Sequence, residues 1–240
     1  MTTTPRRRST AVRLKQTMLL TTPENGSAEA PDMLGHLSES TRKAVLGLGR
    51  RREYAVGDML FRQGDPHNGI YLIDWGLVRS FYMSEDGREL TLGFWTAGHY
   101  VGAPQMFGGG QHAWASAATA PTSCLWLPGG PLRELAGQRV DLALTLIDAL
   151  VHKSQCYCAL LQLLATQSMR VRLARLLSML AARGDGAETG LSHSQLASMI
   201  GSTRQWVSLS LARFEKDRLI VKQADGTVQV LAPDRLAAVR

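Results

Sequence analysis

Apolar positions change their period along the chain, and each change marks a different kind of element. Between residues 53 and 127 they fall in short runs, "MLFRQG", "IYLIDWG", "LVRSFYM" and "LTLGFW", broken at Gly57-Asp58, Gly64-Asp65, Trp75-Gly76, Asp86-Gly87 and Gly98. Breaks about every ten residues predict the strands of an antiparallel sandwich or barrel. Within it "SEDGRE" predicts a hairpin, because Asp-Gly supplies the positive φ angles of a tight primed turn. A short helical stretch is expected ahead of these strands, from about Met33 to Arg52.

From Val140 to Thr166 there is neither Pro nor Gly, and Ile147, Val151, Ser154, Cys158, Leu161 and Ala165 recur at alternating spacings of four and three. This predicts a long helix with a heptad-like seam. A second stripe, Leu146, Leu150, Tyr157, Leu160 and Leu164, lies beside the first. One side of the helix is therefore expected to meet its own barrel and the other the same helix of a second copy, in a symmetric homodimer. Packing within one chain alone is the alternative.

Residues 169–183 predict another amphipathic helix, with Leu173, Leu176, Leu177 and Leu180 on one face, ended by Gly184 and followed by a loop, "GDGAETG". In "SHSQLASMIG" Ser192 and Gln195 have the spacing of a capping box, and Leu196 and Ile200 turn inward before Gly201 ends the helix. The pattern repeats at once, with Ser202 as cap, Gln205 at the third position, and Val207, Leu211 and Phe214 as the buried face. Two short helices joined by a Gly turn make a helix-turn-helix, and "LIVKQADGTVQVLAP" adds a strand, an Asp-Gly turn and a strand as a wing.

The second helix of such a unit reads the major groove of double-stranded DNA with its outer face. At 100° per residue, Gln205, Ser208, Leu209 and Ala212 project outward with Arg204 at the flank. Arg204 suits guanine, Gln205 suits adenine, and Leu209 and Ala212 suit thymine methyls. Ser202 and Thr203, at the helix start, suit phosphate. Capping is the rival use for Gln205, and Trp206 is expected to wedge against the first helix or the wing.

Charge sharpens this picture. The net charge of the 240 residues is +7, with 11 basic against 6 acidic residues over 168–240 and 11 against 14 over 21–167. The C-terminal third therefore suits a polyanion. Residues 1–31, rich in Thr, Arg, Ser and Pro, read as a flexible basic tail. No apolar run reaches the roughly 18 to 20 residues that cross a bilayer, and the N-terminal apolar stretch is too short for a signal peptide, so a cytoplasmic protein is expected. Cys124, Cys156 and Cys158 are odd in number and lack a CxxC pair, which points away from a disulfide framework or a zinc finger. The histidines show no HxH or HExxH spacing, which argues against a barrel metalloenzyme.

"YAVGDMLFRQGDPHNGIYLIDWGLV" and "LASMIGSTRQWVSLSLARFEKDRLI", in this order and joined by a long helix, resemble the Crp/Fnr family of bacterial transcription regulators over roughly residues 33–238. Gly57, Asp58, Phe61, Gly64, Asp65, Tyr71 and Gly76 stand at that family's barrel spacing. The resemblance implies an α+β chain: an antiparallel β jelly-roll barrel that senses an effector (32–138), a dimerisation helix (139–167), and a C-terminal winged helix-turn-helix domain (168–240). It implies a regulator rather than an enzyme, with RNA polymerase as a further partner if it activates. Cyclic-AMP-binding members place a Glu and an Arg-Ser pair in the loop that here reads "GAPQMFGGGQHAWASA", where Ala103, Ala113 and Trp114 follow Gly102. A buried phosphate without its arginine is poorly paired, which argues against the usual cyclic AMP mode.

The family's base-contacting positions correspond to Tyr157 and Cys158, so Gly102, Ala103, Ala113, Trp114, Tyr157 and Cys158 are the effector-pocket candidates, for an effector of unknown identity. Residues 1–50 contain no cysteine, so the iron-sulfur cluster of oxygen-sensing members is not expected. Classical cyclic AMP or cyclic di-GMP as the signal, haem ligated by His67, His99, His112 or Cys124, and regulation without ligand stay open. Many members carry an arginine where this chain has Leu209, which implies a different half-site.

Overall fold

The computed structural model describes residues 32–103, 105–183, 188–189, 191–223 and 227–240, so the tail expected over 1–31, the helix end at Gly184 and the wing turn at Asp225-Gly226 lie outside the described residues. The chain forms two compact units whose main break in sequence falls between Gln167 and Ser168. The first holds α1 (Glu39–Leu48), eight strands, β1 (Arg50–Tyr54), β2 (Met59–Phe61), β3 (Gly69–Trp75), β4 (Val78–Met83), β5 (Glu89–Trp95), β6 (Tyr100–Val101), β7 (Ala115–Ala118) and β8 (Thr122–Pro128), then α2 (Gly129–Gln138) and α3 (Val140–Thr166). The strands make two antiparallel sheets, ordered β1-β8-β3-β6 and β2-β7-β4-β5.

One sheet has apolar neighbours on both faces, and the pleat explains why β3 is continuously apolar. Successive side chains of a strand point to opposite faces. Ile70 and Leu72 join a cluster with Leu125, Leu127, Leu132, Leu142 and Leu146, whereas Tyr71 and Ile73 join the barrel interior with Phe61, Trp95, Val101 and Cys124. Gly76, after β3, has φ 105°, and a Cβ there would stand 2.6 Å from the Pro121 carbonyl oxygen, so only glycine fits this turn.

The β4–β5 hairpin exists, but its connection differs from the two-residue primed turn expected. Met83 pairs with Glu89, residues 84–88 form the link, and Gly87 takes the positive φ (78°) while Asp86 does not. Amides of Gly87 and Ser84 donate to Ser84 O and Arg88 O, both at 2.9 Å, so a longer loop satisfies its own backbone. Helix α2, which sequence periodicity did not mark, begins at a Gly-Gly-Pro start and buries Leu132.

On α3 the buried face is Leu142, Thr145, Leu146, Ala149, Lys153, Cys156, Leu160 and Leu163. The expected inner stripe is thus corrected by about one residue: Leu146 and Leu160 are buried, but Leu150 is exposed. Asp141 pins the start of the helix, its Oδ2 accepting from the Ser38 amide at 3.0 Å and its Oδ1 from Thr41 Oγ1 at 3.1 Å. Those bonds hold the Asp141 carboxyl well down, at about 2.

The second unit holds α4 (Met169–Arg183), β9 (Glu188–Thr189), α5 (His193–Ile200), α6 (Arg204–Lys216), β10 (Ile220–Lys222), β11 (Val228–Val230) and α7 (Pro233–Ala237). The expected two-stranded wing is a three-stranded sheet, because β9 pairs with β11 within the stretch read as a loop. Among the described residues no helix is long and apolar enough to cross a membrane.

Candidate nucleic-acid interface and ligand pocket

The capping box of α5 forms as its spacing predicts. The Ser192 amide donates to Gln195 Oε1 at 2.8 Å and the Gln195 amide to Ser192 Oγ at 3.2 Å. Gly201 takes φ 66° and the Ser202 amide reaches back to the Ala197 carbonyl at 2.9 Å, the six-to-one bond of a left-handed helix stop. Ser202 is still inside that stop, so it does not cap α6. Thr203 does, its Oγ1 accepting from the Trp206 amide at 3.2 Å. The hydroxyl of Ser202 instead donates toward Met169 Sδ at 3.3 Å. Gln205 is exposed and takes no part in the cap.

Val207, Leu211 and Phe214 are buried along α6 as their spacing requires, and Thr203, Arg204, Gln205, Leu209 and Ala212 are exposed. Leu209 keeps 66% of its surface accessible, a large apolar side chain offered to solvent. Ser208 departs from the expected outer row. Its Oγ donates to the Arg204 carbonyl at 3.0 Å, which leaves His193 Nδ1, 2.7 Å away, to donate to Ser208. The hydroxyl is therefore a joint between α5 and α6. Burial, then Lys222 and Arg204, holds the His193 pKa below its ordinary value. Trp206 is half-buried, in keeping with a structural role.

The six effector-pocket candidates do not converge on one point. Gly102 (φ 92°) offers its carbonyl to His67 Nε2 at 2.7 Å, in a stack where His67 and His112 centroids lie 4.0 Å apart. Ala103 is buried in the cluster beneath α1 and α2, while Ala113 is exposed. Trp114 and Tyr157 do meet, edge to face at 5.6 Å, and Tyr157 stands in the same way 6.4 Å from Trp95. Cys158 is exposed on the outer side of α3, so it belongs with the seam and not with the pocket. On that seam Ile147, Val151 and Leu161 are 53%, 50% and 67% exposed.

Sequence reasoning missed the group that dominates this region. Lys153 falls in the gap between Leu150 and Tyr157 of the second apolar stripe, and the spacing Leu142, Leu146, Ala149, Lys153, Cys156, Leu160 puts it on the inner face. It is 4% exposed, its Nζ lies 3.4 Å from the centre of the Trp95 ring and 5.0 Å from that of Tyr100, and among the described residues it forms no ion pair. Burial pulls its pKa from 10.5 down to about 7. The same burial, with the nearby Lys153 charge, lowers His99 to about 4 and depresses His152. The Tyr100 hydroxyl and both His152 ring nitrogens are buried without a hydrogen-bond partner.

Of the haem-ligand candidates, Cys124 is a buried thiol pushed up to about 12 by burial, and His112 stacks on Phe61 with the His67 ring tilted against it. Among the described residues no three of His, Cys, Asp or Glu come together to hold a metal ion.

Comparison with known proteins places both units. Residues 51–139 match the family model of a cyclic nucleotide-binding domain, and residues 171–239 that of a Crp-like helix-turn-helix domain. The transcriptional activator protein Anr of Pseudomonas protegens is 27% identical over 196 residues, covering 79% of this chain and 80% of that protein. The cyclic AMP receptor protein of Thermus thermophilus is 29% identical over 181 residues, covering 75% and 83%. In fold, the c-di-GMP-responsive global regulator CLP of Xanthomonas campestris superposes with a TM-score of 0.73 at 21% identity, covering 80% of this chain and 99% of that one. Barrel, long helix and helix-turn-helix follow one another here as they do in those regulators, and the chain belongs to the Crp/Fnr family of DNA-binding transcription regulators.

Proposed function

We propose that two copies of the chain join along the exposed seam of α3, Ile147, Val151, Ser154, Cys158, Leu161 and Ala165, and place their α6 helices in successive major grooves of a pseudo-palindromic operator, about 34 Å apart. Residues 168–240 read DNA, 139–167 form the dimer and 32–138 sense an effector. The observation that carries this reading is the outer row of α6: Arg204, Gln205, Leu209 and Ala212 are exposed opposite a buried apolar face. Arg204 pairs with guanine, Gln205 with adenine, Leu209 and Ala212 meet methyl groups, and Thr203 at the helix start takes phosphate. An activator of this kind also contacts RNA polymerase.

The effector acts near Trp114 and Tyr157 and differs from cyclic AMP bound in the family's usual way, since Ala103, Ala113 and Trp114 stand where that mode needs carboxylate and guanidinium groups. By population shift, it biases the dimer between two arrangements of its DNA-reading helices. Fluorescence anisotropy on operator DNA tests the first part. Affinity should fall steeply with salt, as counterions are released from several phosphates; a flat salt response, or a strictly monomeric protein in sedimentation, refutes it. Calorimetry with cyclic AMP and cyclic di-GMP tests the second.

A further inference from the structure

We propose that Lys153 anchors a small organic carboxylate between the barrel and α3, and that this acid is the effector. The identification rests on the effector reading above; the binding site itself stands on geometry. A buried charge is ordinarily paired, because taking an ion out of water costs more than most contacts return. Lys153 is buried on the inner face of a helix with an aromatic ring as its nearest neighbour and no carboxylate paired with it. Around it stand hydrogen-bonding groups with nothing to bond: the hydroxyl of Tyr100, itself 1% exposed, and the ring nitrogens of His152. A phenol and an imidazole N–H are donors, and the ammonium is a third. An unpaired ammonium with two further unpartnered hydrogen-bonding groups in its surroundings is the complement of a carboxylate.

Charge and space narrow the class. One cation balances one negative charge, so a monoanion fits and a dianionic phosphate does not. Tyr157 already meets both Trp95 and Trp114 ring to ring, so the acid must be small, with an apolar body that lies against those rings.

Protonation supplies an independent readout. The groups around Lys153 are Trp95 of β5, His99 just before β6, Tyr100 at its start, and His152 and Cys156 of α3 itself, none of them a carboxylate. Near neutral pH the amine is half protonated. An anion favours the ammonium, so binding takes up a proton, and affinity falls by up to about tenfold for each pH step above 7.

The test is calorimetry and thermal shift on the full chain, without DNA, using sodium formate, acetate, pyruvate and benzoate at constant ionic strength, with cyclic AMP alongside. At least one acid should bind the wild type with proton uptake at pH 8. It should lose on the order of a hundredfold in affinity in Lys153→Met and roughly tenfold in Tyr100→Phe. Lys153→Met keeps the shape of the side chain, and its cooperative melting shows that it folds. The site is overturned if no acid separates wild type from Lys153→Met, if binding is independent of pH from 7 to 9, or if cyclic AMP alone binds. An acid that binds at Lys153 and leaves DNA affinity unchanged upholds the site and overturns its role as effector. Loss of salt-dependent DNA binding is a separate failure, of the regulator reading alone.

Discussion

Replacing Lys153 by Met should make the barrel unit more stable, and the size of the gain follows from the surroundings of the ammonium. A drop in its pKa from 10.5 to about 7 corresponds to about 5 kcal/mol of preference for the neutral form. Met has similar length and no charge, so Lys153→Met should gain on the order of 5 kcal/mol at pH 6, less whatever contact between the ammonium and the Trp95 ring is lost with it. The pH dependence has a definite sign. The folded-state pKa lies below the unfolded one, so between pH 7 and 10.5 the unfolded chain holds more protons than the folded chain. Stability therefore rises with pH across that window. The penalty is fully present below pH 7 and gone above 10.5, and the gap between wild type and Lys153→Met must close from one to the other. Urea unfolding followed by circular dichroism at pH 6, 8 and 10 measures it. Groups away from Lys153 titrate alike in both proteins, and of its neighbours His99 and His152 have pKa values held below their ordinary range by burial, so from pH 8 to 10 the difference reports chiefly on this residue. A variant less stable than wild type at pH 6, or a gap that does not narrow by pH 10, refutes the reasoning.

Arg204→Ala should cost about 1 to 3 kcal/mol in operator affinity and relax specificity at one base pair, measured by competition with single-substituted operators; equal weakening on every sequence reassigns Arg204 to phosphate. Thr203→Ala should destabilise the C-terminal unit by about 1 kcal/mol in thermal melts, while Thr203→Ser should not. Ser208→Ala should lower the same melt by about 1 kcal/mol and leave base preference unchanged, because its hydroxyl joins His193 to Arg204. Ile147→Asp with Val151→Asp should give a folded monomer in sedimentation, with operator affinity falling at least a hundredfold as the two half-sites are uncoupled.

The elements that were legible in the sequence are those whose periodicity coincides with their burial. The bounds of α3, Val140–Thr166, follow from the absence of Gly and Pro, and α5 follows from the Ser192–Gln195 spacing. The cap of α6 was misplaced by one residue because a left-handed stop at Gly201 consumes Ser202, and a bond pattern of that kind has no composition signal. Helix α2 escaped because a Gly-Gly-Pro start looks like a loop. Lys153 escaped for a more instructive reason. The inner stripe passes over it between Leu150 and Tyr157, because a lysine is ordinarily assigned to solvent, so a helix that turns a charge inward violates the very rule used to find its buried face. The gathering of Gly102, Ala103, Ala113 and Trp114 into one pocket failed because adjacent residues of an irregular loop face different ways.

Asp141 grips the first turn of α3 through Ser38 and Thr41, and Leu142, Leu146 and Ala149 seat that end of the helix on the barrel. The helix is mechanically a cantilever, clamped at its N-terminal root. Lys153 sits near mid-span, one helical turn beyond Ala149. A molecule wedged there cannot be accommodated by slip at the root, so the deflection must grow along the remaining turns and is greatest at Thr166, the last residue of the helix.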